Sequence, residues 1–191
     1  MANDNFTATP SRSASIDVVV ASEAPAGVAV GHVVGADGEP AGEVGLNRSQ
    51  LDAAGFAGKA GDRHVVSGDD GQVTVAVGIE QPTLANLRDA AANIARALAH
   101  RAELAVVLPS GFDAAPAAQA VVEGALLARY RYDTLRRETD KVALGRLTVV
   151  APATEQAHAA AGAERGHTFA AATMLARDLA NTPHSHLTAV A

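Results

Sequence analysis

The sequence contains no cysteine and no tryptophan, and only 3% of its 191 residues are aromatic. Without cysteine the chain can form neither a disulfide framework nor a thiolate metal site, and it has no thiol nucleophile. This absence agrees with a reducing compartment. Because large aromatic side chains are rare and alanine is frequent, we expect helices that approach one another closely and bury little area per residue.

Long apolar runs and an excess of basic residues are also missing. No run of 18 apolar residues occurs, so the sequence predicts no transmembrane helix, and the polar segment 1–12 does not resemble a secretory signal. The net charge is −6 and the isoelectric point about 5.6, which disfavours binding to nucleic acids or anionic membranes. We expect a cytoplasmic protein. The one short basic cluster is interpreted as a solvated surface or a contact to another domain; it comprises Arg129, Arg131, Arg136 and Arg137.

Hydrophobic residues make up 48% of the chain, which is typical of a globular protein. The polar segment 1–14 is predicted to be a disordered leader. Runs of β-branched and apolar residues predict strands at 16–20, 27–34, 64–66, 72–79, 103–108 and 146–150. Helical spacing and capping residues predict helices at 47–54, 83–98, 113–131 and 154–180, the last broken near Gly162 or Gly166. This order predicts an α/β sandwich with a mixed sheet.

Five segments, in order along the chain, resemble the cytosol (leucyl) aminopeptidase family. Phe56–Asp62 resembles its Phe-x-Gly-Lys-x-Gly-Glu segment, and Val73–Gly78 the strand that follows it. Leu87–Leu98 is similar to its alanine-rich helix, and Glu123–Asp133 to its Glu-Gly-x-x-Leu-x-x-Tyr-x-Phe-Asp stretch. Ala176–Pro183 is similar to its Arg-Asp-Leu-x-Asn-x-Pro sequence. The chain differs from these patterns at Asp62, Tyr132 and Arg136 and in the residues His184-Ser185-His186.

The resemblance implies a fold and a division into domains. We expect a macro-domain-like three-layer sandwich, a mixed β-sheet flanked by helices and followed by a long linker helix. The implied division is a disordered leader over 1–14, an N-terminal macro-like domain over 15–152, and the linker helix with the start of a truncated catalytic domain over 153–191.

The resemblance also implies an activity for the full-length parent. The family's enzymes are hexameric metallopeptidases that remove N-terminal residues from peptides with two divalent metal ions, manganese or zinc. Their metal ligands and catalytic residues follow the Arg-Asp-Leu-x-Asn-x-Pro helix. We therefore expect no catalytic, metal-binding or ligand-binding residue in this chain and no activity from it alone. Its expected partners are its own C-terminal catalytic domain, further copies in a hexamer, and the parent's peptide substrates.

Two pairs of residues suggest chemistry when taken alone. His184 and His186 could be a metal-ligand pair, but no carboxylate follows to complete a site, so a solvated tail is favoured. Lys59 and Asp62 lie in a glycine-rich loop that lacks the spacing of a phosphate-binding loop, which favours tight turns at Gly58 and Gly61.

Three further residues invite a functional interpretation. Arg177 and Asp178 are interpreted as an ion pair or as part of a helix end capped by Asn181, which would fix how the helix enters the next domain. Glu123, near Arg129 and Arg131 in sequence, has no obvious partner carboxylate or histidine, so a surface or structural role is favoured over acid–base chemistry.

Two classes of function are therefore open. In the first, the chain is an assembly and regulatory domain whose last helix buries an apolar stripe against the catalytic domain; the stripe comprises Phe169, Ala172, Thr173, Ala176 and Leu179. In the second, it is a binding module for a nucleotide such as ADP-ribose, held by the loops at 78–83 and 109–113, or for DNA. Neither loop is dense in glycine, and the negative charge argues against DNA.

Overall fold

The structure is a computed structural model that describes residues 6–36, 47–68, 71–135 and 142–186. The strands are β1 Asp17–Ala21, β2 Ala29–Val34, β3 Arg63–Ser67, β4 Val73–Gly78, β5 Glu103–Val107 and β6 Arg146–Val150. The helices are α1 Arg48–Ala53, α2 Leu84–Ala97, α3 Ala114–Arg129 and α4 Gln156–Asn181, and a 3₁₀ turn spans Pro10–Arg12.

The strands form one six-stranded sheet in the order β1-β6-β5-β2-β4-β3. All neighbouring strands are parallel except β3, which pairs antiparallel with β4 in a register that sets Val65 opposite Val75. The antiparallel pair is joined by a short connection, as the turn residues between 67 and 73 predict. The parallel strands need longer crossovers, and α2 and α3 supply two of them. The predicted mixed α/β sheet is confirmed.

Local sequence signals explain where two of the helices begin. The Asn47 side chain accepts a hydrogen bond from the Gln50 amide, and the Gln50 side chain accepts one from the Asn47 amide, which makes a reciprocal capping box for α1. The Thr83 hydroxyl accepts from the Asn86 amide and caps α2. Both starts agree with the prediction.

The two faces of the sheet are covered differently. Side chains alternate between faces along each strand, so Val75, Val106 and Leu147 share one face with the helices α2, α3 and α4. The opposite face carries Ala76, which packs with the α1 residue Leu51. Helices therefore flank the sheet on both sides, as the predicted sandwich requires.

Helix α4 differs from the prediction because it runs unbroken through both of its glycines. A Cβ atom on Gly162 would overlap the Ala115 carbonyl oxygen, and one on Gly166 would lie 2.7 Å from the Gln119 carbonyl oxygen. The glycines thus allow α4 to approach α3 rather than bending it. Because Ala159 and Ala163 of α4 belong to the main core, the helix continues the sandwich beyond residue 153. The domain division there stays a prediction.

Part of the segment 1–14, which is predicted to be a disordered leader, contacts the end of α4. The Ser11 amide donates to Asp178 Oδ2 at 2.8 Å, and Thr182 Oγ1 lies 2.9 Å from the Ala8 carbonyl oxygen. Both contacts attach the start of the chain to the end of α4. Residues 1–5 lie outside the described ranges.

Candidate interdomain surface

Two of the motif segments meet at the carboxyl ends of α3 and α4. Asp178 has no exposed surface although it carries a carboxylate. Its Oδ1 accepts a hydrogen bond of 2.9 Å from the Tyr130 hydroxyl, and its Oδ2 accepts the one from the Ser11 amide. A buried carboxylate is stable only when its oxygens are hydrogen-bonded, so the local fold requires both of these donors. The segments 123–133 and 176–183 therefore form one structural unit.

Arg177 does not pair with Asp178, so the predicted ion pair between them is wrong. The guanidinium carbon of Arg177 lies 5.5 Å from the centroid of the Tyr130 ring, a cation–π distance. Asn181 Nδ2 donates to the Arg177 carbonyl at 2.8 Å, one turn earlier on the same helix. The residue that caps the helix is Thr182 and not the predicted Asn181: the Thr182 amide and hydroxyl both donate to the Asp178 carbonyl.

The environment of Tyr130 shifts its ionisation. Burial raises the pKa of the Tyr130 phenol above its ordinary value. The hydrogen bond from Asn181 and the charge of Arg177 oppose this rise, while the hydrogen bond to Asp178 and its negative charge add to it. The phenol therefore stays protonated and keeps its role as a donor well above neutral pH.

A second tyrosine contacts the same helix end. Tyr132 Oη lies 3.0 Å from Thr182 Oγ1, and Thr182 is itself buried, with its hydroxyl 2.8 Å from the Asp178 carbonyl oxygen. The hydroxyl that distinguishes Tyr132 from the phenylalanine of the family pattern makes this contact. Sequence reasoning missed the roles of Tyr130 and Thr182, although both lie inside the motif segments.

Arg129 corrects the prediction for the basic cluster, because its guanidinium is not a solvated surface group. It donates to carbonyl oxygens at the end of α2, in the loop after it and before β6; the acceptors are those of Ala95, Leu98, Ala99, Arg101 and Val142. A cation at a helix C-terminus satisfies carbonyls that lack an intrahelical partner. Burial, and then the neighbouring Arg131, lower the pKa of Arg129. Arg136 and Arg137 lie outside the described residues.

Glu123 also differs from the prediction, because it is buried rather than on the surface. Its Oε2 accepts from Arg88 Nε of α2 at 2.7 Å and its Oε1 from Gln119 Nε2 at 2.8 Å. The predicted neighbours Arg129 and Arg131 are not its partners. The pair joins α2 to α3, so the structural role is confirmed and the surface role is wrong.

The glycine-rich loop forms the predicted turns. Gly58 and Gly61 have φ angles of +74° and +92°, where residues with a Cβ atom are strained. Asp62 Oδ2 accepts from the amides of Ala57 and Lys59 at 2.9 and 3.1 Å, so the carboxylate closes the loop on itself. A phosphate would have to compete with this negative charge for the same amides.

The remaining candidates carry little chemistry. The His186 ring centroid lies 4.1 Å from that of Phe6, a contact between aromatic rings. In the described ranges, no three His, Asp or Glu side chains converge on a point where a metal ion could sit. The loops at 78–83 and 109–113 carry the carboxylates Glu80 and Asp113, which oppose the binding of a diphosphate.

The outer side of α4 carries an exposed apolar stripe, which we call the α4 stripe. Its members are Phe169, Ala172, Thr173, Ala176 and Leu179. Phe169 is 55% exposed and Leu179 42% exposed. The other side of the helix packs on the sandwich through the buried residues Ala159, Ala163, Ala170 and Met174. The helix thus has one apolar side in the core and another in solvent.

These features define an α/β domain whose last helix leaves an apolar side free. Residues 43–139 match the family model described as the cytosol aminopeptidase family, N-terminal domain. The chain belongs to the cytosol aminopeptidase family. A search of curated protein sequences found no significant match.

Solved structures agree with this assignment. The bottromycin maturation enzyme BotP in complex with Mn is 30% identical over 83% of this chain and 32% of its own, with a TM-score of 0.66. A second BotP structure is 32% identical over 88% of this chain and 33% of its own, with a TM-score of 0.60. A mutant of tomato leucine aminopeptidase shares the fold at 19% identity and a TM-score of 0.71, covering 88% of this chain and 39% of its own. The chain spans about a third of the length of these structures.

None of the helices in the described part of the chain is both long and apolar enough to cross a bilayer.

Proposed function

We propose that this chain is the non-catalytic N-terminal part of a metal-dependent leucyl aminopeptidase, which removes N-terminal residues from peptides in the cytoplasm. Its role is to carry the catalytic domain at the end of α4 and to support assembly of a hexamer. Family membership and the likeness of its fold to that of a leucine aminopeptidase support this proposal. The manganese in one similar enzyme supports two divalent ions, manganese or zinc, in the full-length protein.

The observation that carries the proposal is the two-sided character of α4. An exposed phenylalanine and leucine on one stripe are unfavourable in water, at about 25 cal/mol for each Å² of apolar surface. A contiguous apolar patch on an otherwise polar protein surface is typical of a docking site. At the end of α4, Asp178 is hydrogen-bonded to Tyr130 and Thr182 contacts Tyr132, so the direction in which the chain leaves α4 is defined.

The described residues contribute no step of the peptidase reaction in this proposal. They supply no set of carboxylate and histidine ligands for a metal ion, so the metal-dependent chemistry is assigned to the catalytic domain. The role of these residues is to position the catalytic domain. The buried Asp178 and the hydroxyls around it hold α4 against α3 and so hold the attached catalytic domain.

The first test compares this 191-residue chain with a longer chain that follows the natural reading frame beyond Ala191. Hydrolysis of leucyl-p-nitroanilide is measured with added Mn²⁺ and with a chelator. We expect no turnover above background from the 191-residue chain and Mn²⁺-dependent turnover from the longer one. Metal-dependent turnover by the short chain, or a longer frame without an aminopeptidase domain, would overturn the proposal.

The second test replaces the two largest residues of the α4 stripe with serine, Phe169→Ser and Leu179→Ser, in both chains. Leu84→Ser, at an equally exposed apolar residue on α2, is the matched control. In the longer chain we expect the double variant to lower the thermal midpoint and the hexamer fraction, measured by light scattering. In the 191-residue chain, where the stripe lacks the catalytic domain, we expect the stripe to cause self-association and the double variant to reduce it. An unchanged longer chain would remove the stripe from the proposed interface.

A further inference from the structure

Strand β1 lies at one edge of the sheet, so only one of its two sides is paired. The Asp17 amide donates to the Gly145 carbonyl at 2.8 Å, which shows that the backbone groups of Asp17 point towards β6. Successive residues of a strand point these groups to opposite sides, so those of Ile16, Val18 and Val20 point away from β6. Within the described ranges, no other backbone group bonds to them.

The sequence of this edge lacks the residues that commonly protect an exposed strand. Segment 16–20 contains three valines and neither lysine nor proline, which block pairing at many sheet edges. Its one charged side chain, Asp17, lies 2.9 Å from Nη2 of Arg146 on β6, so its charge is paired within the chain. An unprotected edge of this kind is a template for a further strand.

A groove of about 300 Å³ lies along this edge, between β1 and α4. Its β1 side is formed by Ile16, Val18 and Val20, whose side chains also pack against the main core. The α4 side carries one acid and one base, Glu164 and His167. A strand added at this edge would therefore gain apolar contacts as well as backbone hydrogen bonds.

The side of α4 that borders the groove and its continuation matches itself about a two-fold axis. We call it the edge side of α4; its exposed residues are Ala160, Glu164, His167 and Ala171. Their spacing is the same when read from either end, so in an antiparallel pair of helices alanine meets alanine and Glu164 of each copy meets His167 of the other. With 3.6 residues in each turn, this side lies roughly opposite the α4 stripe.

Strand β1 matches a second copy of itself about the same axis. With the two strands antiparallel and Val18 opposite Val18, Ile16 lies opposite Val20, and about six backbone hydrogen bonds can form. Opposite residues of paired strands share a face, so both copies of α4 lie side by side on one face of the joined sheet. Val18 lines the groove together with Glu164 and His167, so the midpoints of the strand pair and of the helix pair fall together.

We propose that β1 and the edge side of α4 bind a second copy of this chain across a two-fold axis. The dimer joins two six-stranded sheets into one continuous sheet. A second copy fits this surface better than an unrelated extended peptide, because the strand and the helix match themselves in a single arrangement, whereas such a peptide would match the strand alone. The contact does not use the α4 stripe, so it is independent of the proposed docking of the catalytic domain.

The first experiment measures the oligomeric state by analytical ultracentrifugation over a range of concentrations. It uses the 191-residue chain with Phe169→Ser and Leu179→Ser, so that the α4 stripe does not contribute. We expect a concentration-dependent dimer. Ala160→Arg should weaken it by about tenfold or more, because a long charged side chain does not fit between the paired helices. Ala161→Arg, at an exposed neighbour that points away from β1, is the matched control and should leave the dimer unchanged.

The second experiment reverses the charges on the edge side of α4. Glu164→Lys places a lysine opposite His167 in both halves of the dimer, and we expect it to weaken the dimer about tenfold. His167→Glu alone should also weaken it, because two glutamates then face each other. The two substitutions together restore an acid opposite a base and should restore the dimer. A purely structural role of either residue within one copy would not produce this rescue.

Hydrogen exchange followed by NMR tests the strand pairing residue by residue. In the dimer we expect slow exchange at the amides of Val18 and Val20, which become fast in the Ala160→Arg variant. The amides of Val19 and Ala21, which point towards β6, should exchange slowly in both. This alternation is expected only when the free edge of β1 is paired.

Three results would overturn the proposal. The first is a strict monomer at all concentrations, which would leave the edge of β1 to a different strand. The second is a dimer that neither Ala160→Arg nor Glu164→Lys weakens. The third is a dimer in which the amides of Val18 and Val20 exchange as fast as in the monomer. Both substitutions lie at exposed positions, and circular dichroism checks that each variant is folded. If one is not, the other keeps the test valid.

Discussion

The phenol of Tyr130 donates a hydrogen bond of 2.9 Å to the buried carboxylate of Asp178, 48 residues later in the chain. The bond joins the end of α3 to the end of α4 at the point where two motif segments meet. The same carboxylate accepts from the Ser11 amide, so three separate parts of the chain depend on one side chain. Contacts of this kind fix the direction of α4, which the proposed function requires.

The first prediction concerns this bond. Tyr130→Phe removes the donor and leaves Asp178 Oδ1 buried with one partner fewer, at a cost of about 1.5–3 kcal/mol because the acceptor is charged. Tyr132→Phe is the matched control: it removes a contact with a neutral hydroxyl, and we expect a loss of about 1 kcal/mol. Urea unfolding followed by circular dichroism measures both. A smaller loss for Tyr130→Phe than for Tyr132→Phe would contradict the role given to Asp178.

The second prediction concerns alkaline pH. Tyr130 is the only tyrosine left in the Tyr132→Phe variant, so tyrosinate absorbance reports on it alone. The raised pKa of Tyr130 predicts that the folded variant titrates above the ordinary tyrosine value of about 10. The same variant unfolded in urea should titrate at that ordinary value. The folded state holds the phenol proton more tightly than the unfolded state. The stabilisation that comes from protonated Tyr130 is therefore fully present below pH ~10 and is lost as the pH rises above that value. A folded midpoint at or below the urea value would refute the burial of the phenol.

The third prediction concerns the guanidinium of Arg129. Lysine carries the same charge, but its single ammonium group cannot donate to as many carbonyls at once as the planar guanidinium of arginine does. We expect Arg129→Lys to lower the free energy of unfolding by about 1.5–3 kcal/mol. Arg96→Lys, on the exposed side of α2, should change it by no more than about 0.5 kcal/mol. Equal effects of the two substitutions in thermal or urea unfolding would argue against a structural role for Arg129.

The fourth prediction concerns the contact of α3 with α4. In an isolated helix, glycine to alanine stabilises by about 1 kcal/mol. At Gly162 we expect the opposite sign, a loss of about 1–3 kcal/mol, because the added methyl group would overlap the Ala115 carbonyl and push the helices apart. The exposed neighbour Ala161, changed to glycine, measures the propensity term alone. A more stable Gly162→Ala variant would show that the helices are less closely packed than described.

Local signals in the sequence were enough to place most elements. The caps at Asn47 and Thr83 involve partners three residues away. The β-branched run at 18–20 is enough to predict strand β1. Such features depend on neighbours in sequence, so pattern and propensity capture them. The order of strands and helices predicted an α/β sandwich with a mixed sheet, and the family resemblance added its three-layer form; the mixed sheet flanked by helices is confirmed.

The features that could not be predicted depend on residues far apart in the chain. The sequence predicts a surface or structural role for Glu123 but not its buried position, because its partner Arg88 lies 35 residues earlier on another helix. The carbonyls that bind Arg129 come from two separate segments, 95–101 at the end of α2 and Val142 before β6, and no spacing in the sequence indicates them. The sequence predicts a break near Gly162 or Gly166, because only the position of α3 reveals the close approach at both glycines. Tertiary packing decided each of these cases over local propensity.

Strand β1 has a consequence for how the chain acquires its structure during synthesis. Its partner in the sheet is β6, and Asp17 meets Arg146 across 129 residues. A ribosome therefore releases Val18, Val19 and Val20 long before any strand exists to pair with them, and contacts across so many residues form slowly. Until then this β-branched run is a site for aggregation or for a chaperone. The nascent chain can close its sheet only when its last strand has emerged.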